Sequence, residues 1–306
     1  MAGSEPPYRR IAAEIRRRIM LGELGPGDPV PSARQLTREH GVAIATATKV
    51  LALLRDEGLV LTRPGAGTVV AAPRPAAPHA GRGSSGGDPE LSRERLVRAA
   101  IALADAGGLA AVSMRQLAAE LGATTMALYR HVRGRDDLIL AMADVVLADA
   151  PLPAAPPAGW RTSLELLARV QWAVYRRHRW LPHVISMSRP QPMPDGMVHT
   201  EWALRATAGL GLDTQLRWHV AVTLMAYVRG IATNLEAQAQ AVQDTGLTDE
   251  QWVETHEATF QRLTTGRYPT LAALTETVDL ELDTVFEFGL HRLLDGYAAL
   301  IEGPAR

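Results

Sequence analysis

A stretch between Pro73 and Pro89, with the sequence PRPAAPHAGRGSSGGDP, holds almost no apolar side chain that a core could bury. Proline, glycine and serine dominate it, a composition typical of a flexible linker. A chain interrupted in this way is expected to fold as separate units. A second break, Pro151 to Gly159, ends the helical pattern before it. The predicted domains are residues 1–73, 90–150 and 151–306, with residues 74–89 as the linker.

The first unit begins with two predicted helices. Ile11, Ile15 and Ile19 recur every four residues and form one face of a helix, which glycines then stop. Ser32 opens the next helix, and Gln35 follows three residues later. This spacing predicts a capping box, in which each side chain satisfies a free backbone N–H of the helix start.

A third helix and a β-hairpin complete the first unit. The apolar spacing predicts the helix from Ile44 to Glu57, after a turn at Gly41. Two short β-prone runs follow, Leu59–Thr62 and Thr68–Ala71, and the glycine-rich residues between them suit a hairpin. Helix, helix–turn–helix and hairpin together predict a winged helix.

The second unit repeats this logic without the wing. An amphipathic helix over Ser92–Ala106 ends at two glycines, and Ser113 caps the next helix with Gln116 three residues on. After Gly122 a short helix covers Thr124–His131. Two helices joined by a short glycine-containing turn make a DNA-reading helix–turn–helix when the second is exposed.

The third unit shows helical spacing only, so the overall fold class is mainly α. Two long apolar stripes stand out, and spacing alone fits an internal core and a dimer seam equally well. They are Leu216, Val220, Leu224, Tyr227 and Ile231, and then Val278, Leu282, Val285, Gly289, Leu293, Gly296 and Leu300.

Composition excludes several classes of function. The chain has no cysteine, which removes disulfides, thiolate metal sites and cysteine nucleophiles, and its only lysine is Lys49. No apolar run is long enough to span a bilayer, and the first residues lack the pattern of a signal peptide, so we expect a cytoplasmic protein. Basic residues outnumber acidic ones in residues 1–75 and the reverse holds in 151–306, which weakly favours DNA contact by the N-terminal part.

The first unit resembles the winged-helix domain of the GntR family of bacterial regulators. The pattern departs where the family usually has Ser-Arg at the start of the reading helix and another Arg one turn later. Here those positions are Ala43, Ile44 and Thr48, and the wing tip is Ala66. The matching residues are Pro31–Leu36, Gly41-Val42, Thr46, Leu53–Val60, Gly65, Gly67 and Thr68.

The second and third units resemble the TetR family, the tetracycline-repressor type. This resemblance favours the interpretation of the two apolar stripes as a dimer seam. The residues that carry it in the second unit are Leu91–Val97, Ser113–Gly122, Ala127–Val132 and Arg135–Leu138. In the third unit they are Trp160-Arg161, His178–Pro182 and Phe286–Leu290.

These resemblances imply two sets of contacts with double-stranded DNA. Thr124, Thr125 and Met126 are expected to meet base edges, and Tyr129, His131 and Arg135 to hold phosphates, although Met126 and Tyr129 also fit simple core packing. In the first unit the expected contacts are Arg34, Thr46, Thr48, Lys49 and Arg63. Without the usual arginines, we expect this unit to add affinity more than sequence choice, or to favour A·T-rich DNA.

The linker is expected to let both units read DNA together. A flexible coil of this length has an r.m.s. reach of about 23 Å. Neighbouring major grooves repeat every ~34–36 Å, a distance within the linker's full extension. A homodimer would then present four readers.

The third unit is expected to bind a small-molecule effector among polar and aromatic side chains on helical faces. For each candidate, ordinary packing is the competing interpretation. The candidates are Gln171, Tyr175, His178, Trp180, His183, Trp202, Tyr227 and Asn234. No histidine pair has a recognised metal spacing, and we expect neither a metal nor a cofactor.

The predicted function is that of a DNA-binding transcriptional regulator, a repressor that a small molecule releases from its operator, with no membrane partner. One alternative is an architectural protein that bridges DNA sites without any ligand. Another is a pyridoxal-phosphate-type regulator enzyme, but that chemistry needs a lysine in the C-terminal part and none follows Lys49. We therefore expect no enzymatic activity.

Overall fold

The computed structural model describes residues 6–63, 67–71, 91–150, 152–187, 189–272 and 281–303. The predicted linker, the wing-tip residue Ala66 and Val278 lie outside these ranges. The chain divides into two compact units, residues 1–142 and residues 143–306. The predicted winged helix and helix–turn–helix thus fall in one unit, and the domain boundaries drawn from sequence remain a prediction.

The winged helix consists of α1 (Pro7–Met20), α2 (Ala33–His40), α3 (Ile44–Asp56), β1 (Val60–Arg63) and β2 (Gly67–Val70). The two strands pair antiparallel, with Val60 opposite Val70. Predicted and observed elements agree to within a residue or two at each end.

Local sequence explains how these helices start and pack. At the start of α2, the Ser32 side chain accepts from the Gln35 backbone N–H and the Gln35 side chain accepts from the Ser32 N–H, which confirms the capping box. Ile11 and Ile15 of α1 are almost fully buried, as is Leu54 of α3. Burying such side chains stabilises the fold by about 1.5–3 kcal/mol each.

The helix–turn–helix consists of α4 (Arg93–Ala111), α5 (Met114–Glu120) and α6 (Thr125–Tyr129), and α7 (Arg135–Ala148) follows it. Helix α4 is broken at Gly107 and Gly108, which have non-helical backbone angles, so the stop predicted there is confirmed. Gly108 has φ near +68°, a conformation that only glycine adopts without strain.

In the unit of residues 143–306, the described residues form helices and no strand, and the unit is built around α8, α11 and α15. Phe286 of α15 stacks on Trp172 of α8 with ring centroids 4.6 Å apart. Gly289 is required at its position, because a Cβ there would overlap the Tyr227 hydroxyl of α11. The helices are α8 (Trp160–Arg177), α9 (Leu181–Val184), α10 (Val198–Ala206), α11 (Thr214–Ala232), α12 (Asn234–Thr245), α13 (Asp249–Thr264), α14 (Pro269–Ala272) and α15 (Leu282–Ile301).

The two predicted stripes have different fates. On α11, Val220 and Leu224 are buried, so this stripe belongs to the core. On α15 the core face is offset by one residue and consists of Phe286, Leu290, Leu294 and Tyr297. The described part of the predicted α15 stripe lies largely on the outer side of that helix.

Candidate nucleic-acid interface and sensing domain

Helix α3 turns its predicted contact residues outward. Thr48 and Lys49 are exposed and Thr46 is half-buried, while the opposite face packs on the core. The Thr48 hydroxyl donates to the Ile44 carbonyl, 2.9 Å away, so it is engaged within its own helix. The Lys49 ammonium lies 4.3 Å from the centre of the Tyr8 ring, a cation–π contact that holds the charge at the surface.

Two further predicted contacts flank α3. Arg34 is exposed on α2, and Arg63 is exposed at the end of β1, beside the wing. A third exposed arginine, Arg55, was absent from the prediction and donates to the Thr62 hydroxyl at 3.1 Å. The winged helix therefore carries exposed cations on α2, α3 and β1.

Helix α6 begins at Thr124, which is exposed and acts as its N-cap. The Thr124 hydroxyl accepts from the Ala127 backbone N–H at 3.2 Å. Thr125 and Met126 are half-buried. Capping thus explains Thr124 without DNA, although the side chain is open to a base edge as well.

The residues predicted to hold phosphates are less accessible. Tyr129 is only 4% exposed, with the Arg16 guanidinium 5.3 Å from the centre of its ring. Burial, reinforced by the nearby Glu57 charge, raises the pKa of the Tyr129 phenol. Arg135 donates to the carbonyls of Leu109 and Val112 at 2.5 and 2.8 Å, and His131 is half-buried. In this arrangement no phosphate can reach the Tyr129 hydroxyl, and Arg135 is committed to the end of α4.

Sequence reasoning missed Arg115. It is exposed in the first turn of α5 and lines an open cleft of about 690 Å³. Its position two residues after the Ser113 cap was the available signal, because a cap places the residues just behind it in the first turn. Besides Arg115, the cleft is lined by Arg55, Asp56, Ser113, Gln116 and Ala119.

In the sensing domain, five of the predicted ligand residues are buried. They come from α8, from the turn after it and from α10, and the His178 and Trp180 rings meet edge to face with centroids 6.1 Å apart. The Trp202 ring N–H donates to the Ser163 carbonyl at 3.1 Å. Burial raises the pKa of the Tyr175 phenol. The five are Gln171, Tyr175, His178, Trp180 and Trp202.

Gln171 carries a buried acceptor without a partner. His199 Nε2 lies 3.0 Å from the Leu147 carbonyl, and a carbonyl only accepts, so Nε2 holds the proton and Nδ1 accepts. The Gln171 amide nitrogen then donates to Nδ1 at 3.4 Å, which fixes the amide and leaves Oε1 unpaired. Burial lowers the pKa of His199 and thereby favours this neutral form.

Three predicted ligand residues face elsewhere. His183 is exposed and pairs with Glu236 at 3.1 Å, and Asn234 is exposed and donates to the Ile231 carbonyl. The Tyr227 hydroxyl donates to the Phe286 carbonyl at 2.9 Å and lies against Gly289 of α15. Each of the three therefore has a structural role in the arrangement described.

Helix α15 also presents an apolar outer stripe. Val285, Phe288 and Leu300 are 43%, 64% and 47% exposed, and Gly296 lies on the same side with open space around it.

No described helix is long and apolar enough to cross a membrane. Across the described ranges, no three histidine, aspartate or glutamate side chains cluster as a metal site requires.

Three stretches of the chain match known protein families. Residues 152–301 match the tetracyclin repressor-like C-terminal domain, and residues 96–142 match the tetR family of bacterial regulatory proteins. The HTH-type transcriptional repressor DrrR1 of Streptomyces coeruleorubidus is 40% identical over 223 residues, which cover 72% of this chain and 82% of DrrR1. The chain belongs to the tetR family. This tetR-family protein carries an additional domain, because residues 7–70 match the gntR family of bacterial regulatory proteins.

A solved structure and a second relative are also similar to parts of this chain. ActR of Streptomyces coelicolor, in complex with actinorhodin, is 28% identical with a TM-score of 0.58 and covers 70% of this chain and 99% of ActR. The repressor MngR of Escherichia coli is 40% identical over 68 residues, 22% of this chain and 28% of MngR. The resemblances to both families predicted from sequence are confirmed, as is the mainly α fold.

Proposed function

We propose that this protein is a transcriptional repressor that binds an operator as a homodimer in the cytoplasm and leaves it when a small molecule binds the sensing domain. The observation that carries the proposal is the union, in one chain, of two DNA-reading folds with a helical domain that buries polar side chains. Family membership supports the regulatory role, and DrrR1 is itself named a repressor.

The proposed DNA contacts are those predicted from sequence, with Arg115 and Arg55 added. Exposed cations on α2, α3 and β1 neutralise phosphates and release counterions. The threonines at the start of α6 offer hydroxyl and methyl groups to base edges. Tyr129 and Arg135 join this group only after their present contacts are broken.

The proposed effector site lies at Gln171. An unpaired buried carbonyl oxygen leaves a desolvated acceptor unsatisfied at a cost of about 1–3 kcal/mol, which a ligand hydroxyl or N–H would recover. Trp180, Trp202, Tyr175 and His178 are buried in the same domain and are the proposed aromatic contacts of the ligand. The ActR structures contain actinorhodin and (S)-DNPA, which supports an organic ligand of this kind here.

The proposed dimer seam is the outer stripe of α15. Exposed Phe288 and Leu300 on one helix face give the apolar anchors that a stable interface needs. Gly296 permits close approach of a partner helix. The substitution Phe288→Asp is expected to convert dimer to monomer in sedimentation. The matched change Leu263→Asp, at an exposed apolar residue of α13, should leave the dimer intact.

Selection of bound DNA tests the function. The full chain and a form lacking residues 1–88 are each used to select sequences from a random pool, with actinorhodin as the first compound added. We expect a longer selected site for the full chain. Failure of both forms to select any sequence would reject the proposal.

An architectural DNA-bridging role without a ligand is the second candidate. It is favoured by the presence of two reading folds and is distinguished by insensitivity of DNA affinity to every compound tested, since an effector must bind one conformation better than another. For the enzyme alternative, the only lysine, Lys49, lies exposed on α3. We propose that the protein has no catalytic activity.

A further inference from the structure

The winged helix rests on the helix–turn–helix through one nearly buried ion pair. Arg16 of α1 donates through Nε to Glu57 at 3.1 Å and through Nη2 at 2.5 Å, and both residues belong to the winged helix. The remaining guanidinium nitrogen, Nη1, donates to the Arg133 carbonyl, in the loop between α6 and α7, at 2.9 Å. Arg16 also lies against Gly134. The pair is thus a structural part of one domain that presents its outer side to the other.

This contact covers one face of the second reading helix, α6. Tyr129 packs over Arg16 beside the Glu57 carboxylate, and its buried hydroxyl has no well-formed hydrogen bond. One turn earlier, Thr125 meets Gly58, where an added Cβ would lie 4.0 Å from the Thr125 methyl. Thr125 and Tyr129 are four residues apart, so they share one face of the helix.

A covered helix does not fit a DNA groove. The major groove is about 12 Å wide, and a helix with its side chains is about 10–12 Å across, so there is no room for a second domain on its flank. Charge acts in the same direction. A phosphate approaching Tyr129 would meet the Glu57 carboxylate, which already occupies the Arg16 guanidinium with which the phosphate would otherwise pair.

We propose that the docked winged helix masks the tetR-type reading helix, with the Glu57 carboxylate in the place that a DNA phosphate would take beside Tyr129. DNA binding by the helix–turn–helix then requires the winged helix to leave this position. The inference rests on the proposed function in one respect, namely that α6 enters the groove. An outlying ion pair between Arg9 and Asp136, 3.2 Å apart and largely exposed, adds a salt-sensitive contribution to docking.

The winged helix keeps its own reader free in this state. On α3, Thr48 and Lys49 precede Gly58 by ten and nine residues, and both are exposed to solvent. One domain is therefore ready for DNA while it covers the other. The first encounter with DNA is made by the winged helix, and the tetR-type reader engages afterwards.

A reversible disulfide tests the masking directly, because the chain has no cysteine of its own. A Cβ at Gly58 would lie 3.7 Å from the Arg115 Cβ. This separation is within the ~3.5–4.5 Å range of disulfides. The full-length double variant Gly58→Cys/Arg115→Cys is oxidised, and its affinity for the DNA selected by the form lacking residues 1–88 is compared with that of the same protein after reduction.

We expect the oxidised protein to bind that DNA about tenfold or more weakly than the reduced protein, within the usual range of coupling between two equilibria. Gly58 has a φ of +72°, which cysteine adopts only with strain, so circular dichroism first verifies that the double variant folds. Equal affinities would overturn the masking, and so would failure of the bond to form in the folded double variant. The single variant Arg115→Cys, treated identically, shows any effect of oxidant alone. If neither the unaltered full chain nor the form lacking residues 1–88 binds DNA, the proposed function fails, which is a separate result.

Removal of the Glu57 charge gives a second test. Glu57→Gln keeps the shape of the side chain, and Asp56→Asn removes the same charge from the exposed neighbouring position. On the same DNA, we expect Glu57→Gln to raise affinity several-fold more than Asp56→Asn. Equal gains would assign the effect to net charge and overturn the role of Glu57, and circular dichroism verifies that both variants fold.

Discussion

The two units of this protein treat their functional residues in opposite ways. In the reading unit, ten of the eleven residues expected to touch DNA are exposed or half-buried, and Tyr129 is buried. In the sensing unit, most of the residues expected to touch the effector are buried, with Gln171 and Trp202 among them. A DNA duplex is met from outside, whereas a small ligand must be enclosed. Function and folding stability are therefore separable in the first unit and entangled in the second.

The strongest test of this contrast uses two tryptophans of the sensing unit. Trp202→Ala removes a buried ring and its hydrogen bond to Ser163, and we expect a loss of about 3–5 kcal/mol in the free energy of unfolding. Trp218 is 42% exposed, and Trp218→Ala should change stability by no more than about 0.5 kcal/mol. Urea titration followed by the fluorescence of the remaining tryptophans measures both. Similar losses in the two variants would break the contrast.

Thr124 tests whether a surface residue of the reading unit is separable from folding. As the N-cap of α6 it should stabilise that helix, and Thr124→Ala is expected to lose about 1 kcal/mol. Thr124→Ser retains the capping hydroxyl and lacks only the methyl group. Native stability with weakened binding in the serine variant would assign the methyl to base contact. Full binding by the serine variant would leave Thr124 with the capping role alone.

Lys49 should affect DNA binding with only a small effect on folding, about 0.5–1 kcal/mol from the lost cation–π contact with Tyr8. Lys49→Ala removes one exposed cation from α3, so the slope of log affinity against log salt should fall by about 0.9, the contribution of one phosphate. Arg262→Ala removes the same charge from an exposed position in the sensing unit. Filter binding across a salt series separates them. An equal change in slope for Arg262→Ala would show a non-local charge effect.

The smallest expected effect is confined to acidic pH. Burial lowers the pKa of His199, so the folded protein keeps this ring neutral while the unfolded chain takes up a proton below about pH 6.5. Stability that is present above that pH should decrease as the pH falls. All six tryptophans lie between residues 160 and 252, so their fluorescence reports this unit alone.

Variants at two histidines isolate the contribution of His199. His199→Gln should weaken the acid-dependent decrease, whereas His219→Gln, at an exposed histidine, should leave it unchanged. An identical pH dependence in the wild type and in His199→Gln would mean that this ring does not link protonation to folding.

Local patterns were enough to predict most elements of the reading unit. Ser32 and Ser113 predicted where their helices begin, because a capping hydrogen bond depends only on residues three positions apart. The outer stripe of α15 was found by spacing, but its assignment to inside or outside was not. The core face lies one residue further along, at Phe286 and Leu290, and spacing cannot choose between two apolar faces of one helix.

The position of Tyr129 was beyond any local pattern. Its neighbours Arg16 and Glu57 are more than 70 residues away in sequence. They belong to the winged helix, which the predicted linker separates from Tyr129 along the chain. The unpaired oxygen of Gln171 is similar, because it follows from the proton on His199 and from the Leu147 carbonyl beyond it.

From its residue order alone, this chain determined its two reading folds, its helical third domain and the absence of cysteine and lysine chemistry from that domain. Tertiary structure decided which reading helix is open, which apolar stripe is core and which polar atom is left without a partner. The reason is physical: capping and periodicity act over a few residues, whereas burial and charge pairing depend on which distant surfaces meet.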